Sequence, residues 1–534
     1  MDSLGREAHD PSATGAVTGA LPATATATVT ATATVAGGEL RGRRLDGPDV
    51  DVFLGIPYAA PPRGAGRWAP PDPAPPWSGV RDACAPGPVC PQPDRPFSEW
   101  AHGPLPATDE DSLTVNVWRP SERFASGRPV VVFIHGGGWA IGWGSSALLD
   151  GRHLARALDA VVVTFNYRLG SLGWVAHPAL APDPGAPSAN WGLADQLAAL
   201  RWVAENVAAF GGDPTRVTLA GESAGAGSAL HLLVDPRAVG LVSRVAALSP
   251  PLHELVVPPE LAERWTVALV DALGLGDDVA AALPALRDVP VAAIVDAQEE
   301  LLAGPFHGTR GGALPVLDPA TLPNDPARSP QLNPELPLLI GSNADEGRFF
   351  FRAGGRRVDP GPDRLAEMVG RIAHSEQPDA LIAAAHDRLA ARGGPDPSAN
   401  DILCAVVTEA WFAGPTRQFA AARARVGASV HRYRIEHPSA EADLGALHSL
   451  SVPLLFASWR EGGVARRLAG DGEVTGAVSA AIQDDWRRFV HGEALGWPAV
   501  PGDDAGVQEV VYGGAEEPRT VRAAADPPLA SRAG

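Results

Sequence analysis

The chain is 534 residues long, and a hydrophobic content of 45% supplies apolar material for a sizeable core. Its 43 basic and 62 acidic residues leave a formal net charge of −19, which argues against nucleic acid and anionic membranes as partners. No apolar run approaches the roughly 18 residues needed to cross a bilayer, and the three cysteines, Cys84, Cys90 and Cys404, cannot all pair.

In chain order, residues 1–34 read as a polar, small-residue tail that is disordered or weakly structured. It carries Asp2, Glu7 and Asp10 and no apolar core of signal-peptide type. With so few cysteines, a cytoplasmic, reducing setting is the expectation, although a small Cys84–Cys90 loop disulfide stays open. The Ala/Thr alternation over 24–35 is compatible with a strand, which Gly37-Gly38 would turn into a second one over 39–45. A further short strand is predicted over 51–58, followed by a proline-rich wrap over 59–76.

From there an α/β rhythm begins. Strands are predicted at 113–118, 130–134, 161–166, 217–220, 244–249, 336–341 and 430–436, and helices at 148–158, 192–210, 411–425 and 478–489. Ala/Leu-rich helical insertions fall near 255–302 and within 364–425, and residues 501–534 read as a polar tail. The alternation predicts an α/β fold with a large, mixed, mostly parallel sheet and helices on both faces, with 35–500 as one catalytic unit.

Between the strand ending at Ala220 and a helix-permissive run lies Gly221-Glu222-Ser223-Ala224-Gly225. This fits G-x-S-x-G, the nucleophile elbow of an α/β-hydrolase, in which a tight strand-to-helix turn presents the serine. With 59 glycines in the chain, the pattern alone is weak. It gains weight from His135-Gly136-Gly137-Gly138-Trp139, which directly follows the buried strand ending at Ile134. An oxyanion needs fixed donors, and glycines let backbone N–H groups point into a cleft. The glycines of this loop would supply them, with the N–H of Ala224 as a further donor. No Gly-Lys-Ser/Thr follows the glycines, so a phosphate loop is excluded, and His135 is expected to hold the loop rather than act as a base.

In this fold the acid and then the histidine follow the serine. Asp345 and Glu346, just after the predicted strand 336–341, are both able to orient an imidazole, and the residues alone do not choose between them. Of the six histidines beyond them, His374, His386, His431 and His491 fall in helices or a strand. His437 and His448 remain as equal candidates.

The chain resembles the type B carboxylesterase family, which includes the cholinesterases and bacterial p-nitrobenzyl-esterase-like enzymes. The resemblance covers residues 35–500. It is carried by Phe53-Leu-Gly-Ile-Pro-Tyr-Ala59, Glu110-Asp-Ser-Leu-Thr-Val-Asn-Val-Trp118, His135 to Trp139 and Asn166-Tyr-Arg-Leu-Gly170. It continues through Asn190-Trp-Gly-Leu-Ala-Asp-Gln196 and Phe210-Gly-Gly-Asp-Pro214 to the elbow. The resemblance implies a serine carboxylesterase with Ser223 as nucleophile, Glu346 as acid, His448 as base, and Gly137 and Gly138 with Ala224 as the oxyanion donors. Ser249 and Glu222 would support them, a small-molecule ester would be the substrate, and no metal or other cofactor would be needed. Trp139, Trp143, Phe349, Phe350, Phe351 and Trp411 are candidates for the substrate pocket. Trp100 is similar to the aromatic that receives quaternary ammonium groups in cholinesterases.

Two departures stand out. Relatives usually read His-Gly-x-Asp/Glu, where this chain has His448-Ser449-Leu450-Ser451. Their Glu-Asp-Cys-Leu is here Glu110-Asp111-Ser112-Leu113, so Cys90, in Cys90-Pro91-Gln92, lacks the customary partner. The rival expectations are a hydrolase dedicated to one natural-product ester or carbamate, and a binding protein that keeps the fold without the chemistry.

Overall fold

The computed structural model describes residues 30–524 apart from 46, 48, 122–126, 307–310, 392, 394, 503–506 and 515–516. Residues 1–29 of the expected N-terminal tail, and 503–506, 515–516 and 525–534 of the expected C-terminal one, lie outside the described residues.

Thirteen described strands form one sheet. They are β1 (Thr30–Val35), β2 (Gly38–Leu45), β3 (Val50–Pro57), β4 (Val80–Asp82), β5 (Thr114–Pro120), β6 (Arg128–Ile134) and β7 (Val161–Phe165). Then follow β8 (Gly212–Glu222), β9 (Arg244–Leu248), β10 (Leu338–Asn343), β11 (Val430–Ile435), β12 (Gln508–Tyr512) and β13 (Arg519–Ala523). The order is β1-β2-β3-β5-β7-β6-β8-β9-β10-β11-β12-β13, with β4 beside β2. The run from β7 to β12 is parallel; β1, β2, β3 and β5 pair antiparallel at one side and β13 antiparallel at the other.

The middle of the sheet carries apolar runs such as Val130 to Ile134 and Val161 to Val163 because both faces are covered. In β6, Val130, Val132 and Ile134 join one core and Val131 and Phe133 the other. The first core takes in the helices Trp191–Asn206 and Ala224–Leu233. The second takes in Arg152–Leu158, Ser451–Phe456 and Glu473–His491. A third, smaller core joins Pro362–Ala373, Pro378–Ala390 and Ala399–Val407, and Pro259–Ala272, Val279–Asp288 and Val291–Ala303 fill the other helical insertion.

At the N-terminus the strand reading of the Ala/Thr alternation holds, paired with the second strand through Gly37-Gly38, whereas the C-terminal end differs from expectation. Thr30–Val35 is an edge strand, its alternate residues Ala31, Ala33 and Val35 buried, so the sheet begins inside the stretch read as a tail. The segment after residue 500 adds β12, which pairs with β11 and buries Val510, Val511 and Tyr512, and then β13. Cys84, Cys90 and Cys404 are all free thiols, so the Cys84–Cys90 loop is not closed by a disulfide.

Two of the sequence blocks meet inside the fold. Arg168, from Asn166-Tyr-Arg-Leu-Gly170, donates through Nε and Nη2 to the two oxygens of Asp195, at 2.8 and 2.7 Å. Both side chains are buried. Asn166 accepts from Gly144 N (2.8 Å) and donates to Ser112 O (3.1 Å), tying the loop after β6 to the start of β5.

Candidate active site

Register brings the site together. Ile134 at the end of β6 is opposite Gly221 of β8, Glu222 is opposite Leu248 of β9, and Leu248 is opposite Gly341 of β10. The segments leaving these strands therefore emerge side by side at the carboxyl edge of the sheet, where ligands bind in open α/β folds.

β8 ends at Glu222 and the helix Ala224–Leu233 starts one residue later, leaving Ser223 alone in the turn at φ 55°, ψ −124°. Such a conformation is strained for a residue with a side chain. The close packing explains the flanking glycines: a β-carbon at Gly221 would stand 2.3 Å from the Gly225 carbonyl, and one at Gly225 2.1 Å from Ile134 O. Ser223 N donates to Leu248 O at 2.9 Å, fixing the turn to β9.

After β6, the Gly137 carbonyl accepts from Ala140 and Ile141 N, both at 3.1 Å, in a tight turn. Gly137 has φ 111° and stands so close to Ile141 O that a β-carbon would be 2.0 Å away. Gly138 faces open space. His135 stacks on Tyr167 with ring centroids 4.4 Å apart, and its Nδ1 lies 2.8 Å from Gly136 O. Burial pushes its pKa down to about 3, so it is a neutral strut under the loop.

The histidine and acid meet as the resemblance implied. Glu346 Oε2 lies 2.5 Å from His448 Nδ1, while Oε1 accepts from Ser249 Oγ at 2.5 Å and Asn343 N at 2.6 Å. Glu346 is wholly buried, and these three contacts engage both of its carboxylate oxygens. Asp345 does something else: its Oδ2 accepts from Ala446 N at 3.1 Å, and its N donates to Ala446 O at 2.9 Å. It pins the loop that carries His448. His437 lies instead against Ala469 O and Thr475 Oγ1, with its pKa lowered by burial.

Glu222, the residue before Ser223, places its Oε1 3.3 Å from His448 Nε2 and accepts from Ser449 Oγ at 2.9 Å. The imidazole therefore spans from the Glu346 carboxylate to the elbow. Burial raises the Glu222 pKa to about 6, against the opposing pull of His448 and the Ser449 hydrogen bond.

A model of the carboxylesterase family matches residues 27–494. The chain belongs to the carboxylesterase family. It is similar to the phenmedipham hydrolase of Pseudarthrobacter oxydans, 34% identical over 500 residues, which cover 90% of this chain and 95% of that one. The para-nitrobenzyl esterase of Bacillus subtilis (strain 168) is 34% identical over 476 residues, covering 86% and 91%. Among solved structures, a thermophilic PNB esterase superposes with a TM-score of 0.79 at 32% identity, covering 92% of this chain and 97% of that one. The protein is thus a serine carboxylesterase, a carboxylic ester hydrolase of the α/β-hydrolase fold.

The aromatic residues of this carboxylesterase sort differently from the sequence expectation. Phe349 and Phe350 pack on the His448 ring with centroids 5.4 and 5.5 Å away. Phe412, absent from the sequence candidates, is closer at 4.7 Å. It sits on a π-helical turn, Thr408–Ala413, and helical periodicity gives no sign of such a turn. Trp411 is one residue away, stacked face to face with His253 at 4.8 Å and in edge contact with Phe350. Phe351 faces the third core.

Trp139 is fully buried beside Trp174 and His231, and its Nε1 donates to Ser228 Oγ at 2.9 Å. Trp143 is buried against His102 and lines a small pocket behind the glycine loop, with His135, Glu222 and Ser449 in the same wall. Trp100 stacks on Phe97, and the Arg467 guanidinium lies 4.7 Å from its ring centroid. No described helix is long and apolar enough to cross a membrane.

Proposed function

We propose that the carboxylesterase hydrolyses small aryl and arylmethyl esters by two-step acyl transfer at Ser223. His448 Nε2 takes the Ser223 proton as Oγ attacks the ester carbonyl, and Glu346 holds Nδ1–H and so fixes the tautomer. The N–H groups of Gly137, Gly138 and Ala224 donate to the oxyanion, each worth about 3 kcal/mol of transition-state stabilisation. The alcohol leaves with the proton from His448. Water, deprotonated by the same nitrogen, then attacks the acyl-enzyme and frees the acid.

One observation carries this reading: His448 joins the Glu346 carboxylate on one side to the residue before Ser223 on the other. The aromatic wall of Phe349, Phe350 and Phe412 around the imidazole, and the similarity to para-nitrobenzyl esterase, support aryl-bearing substrates. The three free thiols support action in a reducing, cytoplasmic compartment.

The test is Ser223→Ala assayed with p-nitrophenyl acetate and a p-nitrobenzyl ester, alongside labelling by a fluorophosphonate. A fall in turnover on the order of 10⁶ with loss of labelling is expected. Wild-type turnover in that variant overturns the assignment.

A further inference from the structure

Ser449 has a conformation and a contact that the chemistry above does not use. Its φ is 70°, in the left-handed region that glycine enters freely and other residues rarely do. In this chain a hydroxyl is therefore carried at a strained position. That hydroxyl donates to Glu222 Oε1 at 2.9 Å, and the same oxygen stands 3.3 Å from His448 Nε2. The nearby Ser451 hydroxyl is buried and has no hydrogen-bond partner among the described residues.

We propose that Ser449 is a positioning residue whose hydroxyl keeps Glu222 Oε1 a charged acceptor facing His448 Nε2, a role that rests on reading His448 as the base. Nε2 must be free to receive the Ser223 proton. A proton on Oε1 would point at Nε2 and occupy its lone pair, leaving the base blocked. The Ser449 proton already fills one acceptor direction of Oε1, favouring the ionised carboxylate. Once Nε2 is protonated, that same oxygen faces an imidazolium and stabilises it.

The other titratable groups around Glu222 do not compete for this role. Glu346 reaches it only through space and is engaged with Ser249, Asn343 and His448. His135 and His102, across the cavity, are pushed down by burial to about 3 and about 4 and so stay neutral. Tyr433 of β11 is held protonated by burial. Glu222 and His448 are left to set the acid limb of the pH profile.

The test is steady-state hydrolysis of p-nitrophenyl acetate from pH 5 to 9 by Ser449→Gly, Ser449→Ala, Glu222→Gln and the Ser449→Gly/Glu222→Gln double variant. Glycine suits the backbone at 449, so the first variant is expected to melt no lower than wild type. Losing one hydrogen bond to a charged group should lower kcat about tenfold with KM little changed. The acid limb should move to higher pH in both single Ser449 variants. In the Glu222→Gln background, Ser449→Gly should cost nothing further. A wild-type pH profile and kcat in Ser449→Gly, or an undiminished loss in the double variant, overturns the proposal. His448→Ala separates the two readings: wild-type turnover there removes the base and the proposal together, whereas an inactive His448→Ala beside an unaltered Ser449→Gly removes only the role of Ser449.

Discussion

The main-chain oxygen of Ile134 stands 2.1 Å from the point a β-carbon on Gly225 would occupy. Ile134 ends β6 and leads into the glycine loop, while Gly225 is in the first turn of the helix after Ser223. One contact therefore sets the distance between Ser223 and the glycine loop proposed to supply the oxyanion donors. Gly225→Ala must push the two apart. The expected cost is about 1–3 kcal/mol of stability, typical of overpacking, with a loss of kcat larger than the fall in Tm accounts for. Thermal melts paired with p-nitrophenyl acetate kinetics check it, and wild-type kcat in a folded variant contradicts it.

The adjacent carboxylates should separate cleanly. Glu346 contacts the imidazole, and Asp345 contacts the backbone of the loop bearing it. Glu346→Gln keeps the shape but loses the charge and is expected to lower kcat by about 10⁴, as loss of the charged triad acid does in a serine protease. Asp345→Asn should lower the unfolding free energy by about 1 kcal/mol and leave kcat within roughly tenfold. Equal kinetic losses in the two variants would mean that Asp345 also acts on the imidazole.

How far the molecule is legible from its sequence follows from the range of the forces involved. The elbow and the glycine loop are local: Gly221, Gly225 and Gly137 each answer to a close backbone contact, and Gly138 to a positive φ. Val130 to Ile134 of β6 and Val161 to Val163 of β7 read as apolar runs. The choice between Asp345 and Glu346 is not local. It depends on Ser249 from β9 and on the His448 loop, which the register brings together from distant parts of the chain. β12 and β13 escaped notice because Gln508–Tyr512 and Arg519–Ala523 are short and carry charges, and the pairing with β11 makes the first of them a strand. Phe412 escaped notice because a π-helical turn breaks the helical spacing on which the reading relied.

The Arg168–Asp195 pair accounts for two of the sequence blocks that carry the family resemblance. Both groups are buried, and Asp195 Oδ2 also accepts from Arg168 N at 3.0 Å. Removing one partner strands the other charge away from water. Asp195→Ala is expected to destabilise the protein by about 3–5 kcal/mol. The double variant Arg168→Met/Asp195→Leu should lose less than the sum of the two single changes, since neither charge then remains unpaired. Denaturant unfolding of the four proteins gives the coupling directly, and strict additivity argues against the pair acting as a unit.

Glu222 ties catalysis to stability in opposite senses. Its pKa is raised from 4.5 to about 6 in the folded protein, chiefly by burial, so the native state binds its proton more tightly than the unfolded chain does. The stability this contributes is fully present below pH 4.5 and is lost as pH rises through about 6. At neutral pH, where the ionised form serves His448, the buried charge costs about 2 kcal/mol relative to the protonated form. Glu222→Gln removes the titration. Its unfolding free energy relative to wild type should therefore climb by up to about 2 kcal/mol between pH 4.5 and 7, while its turnover at pH 7 falls. Denaturant unfolding of both proteins across that range measures the difference. A difference that stays flat with pH would mean that solvent or nearby donors already relieve the carboxylate in the folded state.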